Sequence, residues 1–144
     1  MMCLKEKAQQ IIDACELLGI TVHRYDAASS ESIYLAFDYG ILGALRLSNH
    51  PTKSKHDEQR FNMSENFEYR RTRLDPDSGK RKYYYSTDDV DVFIEDLMHE
   101  RKRLRKKWLD FRYEYKVEQC AKRGMLRKKY MWRKAKLVQE VFEL

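Results

Sequence analysis

Three groups of residues in this chain have types and spacings suited to chemistry. The first is Arg46-Leu47-Ser48-Asn49-His50, followed by His56-Asp57. Read as a strand, period two places Arg46, Ser48 and His50 on one face, with Leu45 and Leu47 toward a core. A cation, a hydroxyl and an imidazole on one face can bind phosphate, or His50 can act as a general base. The second group spans residues 69–85. Tyr69, Arg71 and Arg73 alternate on one arm, Lys80, Arg81 and Lys82 open the return arm, and Tyr83 and Tyr85 continue it. Such a hairpin suits stacking of bases while arginines hold phosphate; tyrosines also favour strands that pack half-buried against helices.

The third group is the C-terminal basic region: Arg101, Lys102, Arg103, Arg105, Lys106, Lys107, then Arg112, Lys122, Arg123, Arg127, Lys128, Lys129, Arg133 and Lys134. Of 29 Lys and Arg in the 144-residue chain, 16 lie in residues 101–144 against five of the 23 Asp and Glu. That segment carries +11 and the preceding hundred residues carry −5, so the net +6 hides a dipolar molecule. A basic helical face interleaved with aromatic residues is suited to lying along phosphates. Lys and Arg are also good helix formers that keep a helix soluble, so a solvated helix pair has the same composition.

Other chemistry has little support. The four histidines are scattered, and no zinc, P-loop, nucleophile-elbow or H-E-x-x-H spacing occurs. The expectation is therefore no catalytic residue, no metal and no cofactor. Cys3, Cys15 and Cys120 match no paired spacing and read as reduced thiols of an intracellular protein. The N-terminus breaks into charge too early for a signal peptide, and no apolar run reaches the roughly 20 residues of a membrane span. These features predict a cytoplasmic protein without membrane contact.

Several elements must position these groups. Leu4, Ala8, Ile11, Ile12, Cys15 and Leu18 recur at helical spacing and Gly19 is placed to stop the helix. Residues 20–25 alternate as a strand, and residues 32–38 and 43–48 flank Tyr39-Gly40-Ile41-Leu42 as a hairpin. Residues 67–74 and 80–86 flank Asp75-Pro76-Asp77-Ser78-Gly79 as a second one. Thr87-Asp88-Asp89 suits a helix start. Val90, Phe93, Ile94, Leu97, Leu104, Trp108, Phe111 and Tyr115 then form one apolar stripe from about 90 to 118, and Leu126 to Val141 continue as a final helix. The fold class is α+β: an N-terminal helix, an antiparallel sheet of four to five strands, and long basic C-terminal helices. Residues 1–87 form the core and residues 88–144 a basic helical arm of the same domain.

The stretch from Gly43 to His50, continuing through Lys55-His56-Asp57, resembles a segment of small phage proteins that include a broad-spectrum type II-A anti-CRISPR family, inhibitors of Cas9. Arg46 to His50 and His56-Asp57 match it position by position. The resemblance implies inhibition of an RNA-guided nuclease by contact with the enzyme, its guide RNA or its DNA site, with Arg46, Ser48 and His50 as the positions of interest. Taken with the charge pattern, it makes a phage-derived binding protein that acts by occupancy the leading expectation. Two rivals stay open. One is a nucleic-acid-binding protein or small nuclease using Arg46 and His50, and the other is an assembly factor dimerised through its C-terminal helices.

Overall fold

The computed structural model describes residues 3–26, 32–47, 66–70, 82–86, 90–123 and 140–144. The architecture is α+β: helix α1 (Leu4–Leu17), a three-stranded antiparallel sheet of β1 (Val22–Asp26), β2 (Ile33–Phe37) and β3 (Ala44–Leu47), and the C-terminal helices α2 (Val90–Trp108) and α3 (Asp110–Lys122). Strands β4 (Asn66–Arg70) and β5 (Lys82–Ser86) extend the sheet by antiparallel backbone pairing in the order β1-β2-β3-β4-β5. The expected turn at 75–79, the helix start at 87–89 and most of the final helix lie outside the described residues. Glu140 to Phe142 form a helical turn.

Helix α1 buries Leu4, Ala8, Ile11 and Cys15, one residue per turn on a single stripe. It ends where Gly19 adopts φ +75°, a left-handed conformation that glycine takes without steric cost. Across the sheet, Ile33, Leu35 and Phe37 of β2 and Leu45 and Leu47 of β3 point to the helices and join Ile11, Phe93, Leu97 and Leu104 in one core. Phe37 meets Phe93 with ring centroids 5.6 Å apart.

Between β2 and β3 the chain passes through Asp38 and Tyr39 at φ +46° and +59°, a region that side-chain-bearing residues occupy only when held there. Asp38 is so held. Its backbone N–H donates to the Thr21 carbonyl at 2.8 Å, and Thr21 N–H returns a bond to the Asp38 carboxylate at 3.0 Å. The Tyr113 hydroxyl donates to the other carboxylate oxygen at 2.5 Å, and Arg101 Nε stands 3.9 Å away. Burial raises the carboxyl above its ordinary value despite these partners, and burial with the adjoining carboxylate raises Tyr113 as well.

The single helix expected over 90–118 is two helices. Leu109 sits at φ 72°, ψ 153° and starts α3 on a new phase. Had α2 continued, Trp108, Phe111 and Tyr115 would share a stripe. After the break Trp108 stays buried while Tyr113, Lys116 and Cys120 turn inward and Phe111 (70 % exposed) and Tyr115 (50 %) face solvent. The short α2–α3 connection lets Tyr113 reach back to Asp38, which a straight helix could not do. Cys15 and Cys120 are buried free thiols whose pKa values burial pushes up to about 12, leaving them unreactive.

Two outcomes follow in denaturant unfolding. Leu109→Gly relieves a backbone conformation that costs about 1–3 kcal/mol in a residue with a side chain; after the entropic cost of glycine it raises stability by about 1 kcal/mol. Asp38→Ala strands Thr21 N–H, Tyr113 and Arg101 together and lowers stability by about 3–5 kcal/mol. Because the folded Asp38 carboxyl holds its proton to higher pH than the unfolded one, the increment of stability that comes from this shift is fully present below about pH 3.8 and is lost as pH rises through the folded value, while the bonds to Thr21 and Tyr113 persist. Asp38→Asn therefore flattens the stability profile across that acid range.

Candidate nucleic-acid interface

Alternation along the strands fixes a second sheet face, opposite the helices. Tyr34 and Ala36 of β2 lie there because Ile33, Leu35 and Phe37 do not, and Ala44 and Arg46 of β3 lie there because Leu45 and Leu47 do not. The register aligns Tyr25 with Tyr34 and Tyr34 with Arg46, and in the next row His23 with Ala36 and Ala36 with Ala44. Both alanines are buried, 2 % and 8 % exposed. Tyr25 and Tyr34 stack with centroids 5.8 Å apart and planes 25° apart. The Arg46 guanidinium carbon lies 5.8 Å from the Tyr34 centroid, within cation–π range.

Arg46 has few side-chain partners among the described residues of this face. One terminal nitrogen reaches Ser32 Oγ at 3.4 Å, a long bond, and Nε is shielded from water with no hydrogen-bond partner among the described residues. A guanidinium has five N–H donors in a planar fork, and its outward terminal nitrogens suit a phosphate or carboxylate. His23 borders the row, its ring 4.7 Å from that of Tyr39, and its Nδ1 is likewise without a partner among the described residues. Burial lowers the His23 pKa, so the imidazole is neutral near pH 7.

Other expected site residues are dispersed. Ser48, His50, Arg71, Arg73, Lys80, Arg81, Arg127, Lys128, Lys129, Arg133 and Lys134 lie outside the described residues. Glu68 pairs with Arg46 in register and Tyr84 with Glu68, continuing the row of Tyr25, Tyr34 and Arg46. Tyr69 pairs in register with Leu45 and Tyr83 with Tyr69, and Phe67 pairs with Leu47 and Tyr85 with Phe67. Lys82 pairs with Arg70.

The basic run of α2 is largely engaged within the fold. Arg101 donates to the Leu18 and Gly19 carbonyls at 2.8 and 3.3 Å, satisfying acceptors left open at the C-terminus of α1 and complementing its dipole. Arg103 makes two bonds to the buried Glu100. Arg105 reaches Asp110 at 3.4 Å and Glu114 across the α2–α3 break, and lies 4.4 Å from the Tyr113 ring centroid. Lys122 pairs with Glu118 at 2.9 Å, and Arg123 lies 3.9 Å from Glu140. Lys102, Lys106, Lys107 and Arg112 are exposed. Acidic residues occupy the first half of α2 and basic ones the second, the order that complements a helix dipole. Part of the charge run is thereby helix stabilisation.

Sequence reasoning missed Tyr25 and Tyr34, although their positions in alternating strands carried the signal, and it missed the structural roles of Asp38, Tyr113 and Lys116. Lys116 is buried, with Nζ 4.5 Å from the Trp108 ring centroid. It donates to the carbonyls of Val141 at 3.3 Å and Phe142 at 2.8 Å, fixing the C-terminal turn. Burial lowers its pKa, with Arg112 adding repulsion. Phe142 meets Trp108 edge-on at 4.4 Å.

Among the described residues no three His, Cys, Asp or Glu side chains gather as a metal site, and no helix is long and apolar enough to cross a membrane. Comparison with protein-family models, curated proteins and solved structures finds no match to the chain.

The division of the basic run is testable by thermal denaturation. Arg101→Ala uncaps α1 and removes the cation beside Asp38, lowering stability by about 2–3 kcal/mol. Lys102→Ala and Lys106→Ala change it by less than about 0.5 kcal/mol.

Proposed function

We propose that this protein acts by occupancy, binding a nucleic acid or a nucleic-acid-loaded enzyme through the Tyr25–Tyr34–Arg46 face of its sheet. The observation that carries the reading is Arg46: a guanidinium beside a stacked tyrosine pair, with its Nε shielded and unpartnered among the described residues. Tyrosine rings accept bases of any sequence because every base has a π-face, and the guanidinium supplies the charge-assisted contact to phosphate. The exposed Arg112 adds electrostatic attraction.

The resemblance of residues 43–57 to the anti-CRISPR segment supports a concrete form of the reading, inhibition of a Cas9-type nuclease through its guide RNA. The inhibitor needs no chemistry of its own. It places an aromatic and cationic face where single-stranded RNA or its DNA partner must lie, in the host cytoplasm.

Fluorescence anisotropy with labelled single-stranded RNA, run beside a Cas9 cleavage assay, tests this. The wild type binds RNA with a salt-dependent affinity and slows cleavage. Tyr34→Ala weakens binding roughly tenfold through lost stacking. Arg46→Gln weakens it comparably and reduces the slope of log affinity against log salt by about one, as expected for one lost phosphate contact. A wild-type protein that neither binds RNA nor slows cleavage removes the proposal, as does an Arg46→Gln variant that retains both activities in full.

A further inference from the structure

The outward ridge of α2 is a second surface, independent of the sheet face. Val92, Glu95, His99, Lys102, Lys106 and Leu109 recur at alternating steps of three and four, and all six are exposed. At 100° per residue the first five form one stripe, opposite the stripe of Phe93, Leu97, Leu104 and Trp108 that enters the core, and Leu109 lies just past the end of α2. Steps of three and four are the spacing by which one helix packs along another. Over 18 residues the stripe is about 27 Å long.

Its composition is ordered. Val92 and Leu109, 50 % and 57 % exposed, stand at the two ends; Glu95 lies toward the first, Lys102 and Lys106 toward the second. Beside the basic half runs an open groove of about 680 Å³, with Met98, Leu109, Glu95 and Asp110 in its lining. A polyanion laid along this ridge would meet those carboxylates, and a parallel copy would set Glu95 against Glu95 and Lys106 against Lys106. An antiparallel copy meets neither difficulty. About a two-fold axis between His99 and Lys102, Val92 falls opposite Leu109 of the second copy, Glu95 opposite Lys106, and His99 opposite Lys102.

We infer that the α2 ridge is a self-complementary surface through which two copies of this chain associate antiparallel. A two-fold axis uses the same patch on both copies, so each contact occurs twice. Glu95 and Lys106 then form two symmetric ion pairs that set the register, and the groove beside Leu109 receives Val92 of the second copy. The surface is narrow and its centre polar, so association is reversible and concentration-dependent. Dimerisation leaves the Tyr25–Tyr34–Arg46 face on the other side of the sheet uncovered.

Sedimentation velocity of the full-length, nuclease-treated protein over a concentration series tests the inference. The wild type shows a monomer–dimer equilibrium. Glu95→Lys and Lys106→Glu each convert two attractions into two repulsions and weaken the dimer roughly tenfold or more, with unchanged circular dichroism. The Glu95→Lys/Lys106→Glu double variant restores self-association, and an equimolar mixture of the two single variants forms a heterodimer. A wild type monomeric throughout the series overturns the inference. So does a dimer that ignores both single substitutions, or a double variant that fails to re-associate.

Discussion

The Asp38 carboxylate is the contact on which the rest of the arrangement depends. It accepts from Thr21 at the entry to β1 and from Tyr113 in the middle of α3, and it faces Arg101 of α2. Arg101 in turn holds the two carbonyls that end α1. One buried carboxylate therefore links the sheet to α1, α2 and α3. A buried charge is tolerated only when its partners are fixed, because its loss of water is worth several kcal/mol. The same requirement holds Asp38 and Tyr39 in left-handed backbone conformations that their side chains disfavour.

From that anchor the two surfaces diverge. Fixing Asp38 fixes the start of β3 and with it the register that aligns Arg46 with Tyr34 and Tyr25. Fixing Tyr113 requires the chain to break at Leu109, which ends α2 and leaves Leu109 at the tip of an outward ridge. The sheet face combines stacked aromatics with a guanidinium whose Nε has no partner among the described residues. The helix ridge carries its acid toward one end and its bases toward the other, and its chemistry recognises an equally patterned helix more readily than a uniform polyanion.

The architecture was legible where periodicity is strong. Leu4, Ala8, Ile11 and Cys15 announce α1, Gly19 ends it, and the alternation of Ile33 to Phe37 and Ala44 to Leu47 gives the antiparallel pairing. The C-terminal stripe misled because Trp108, Phe111 and Tyr115 fit helical spacing across a break that no proline or glycine marks. Leu109 takes its conformation from tertiary contacts on both sides, Trp108 against Phe142 and Tyr113 against Asp38. For the candidate site, Arg46 could be singled out from its strand. Its neighbours Tyr25 and Tyr34 depend on which residues face one another, and that pairing is not written in either strand alone.

By itself, the sequence determined the helix and strand segments, the dipolar distribution of charge and the lack of a membrane-length apolar run, because each is a local property of residue type and spacing. Only the tertiary structure decided which charges are available to a partner. Arg101, Arg103 and Arg105 look like Lys102 and Lys106 in a linear run, but a helix turns 100° per residue and sends them to different neighbours. A carbonyl pair, a buried glutamate and the next helix engage the first three. The two lysines remain on the exposed ridge, because that side of α2 faces away from the core.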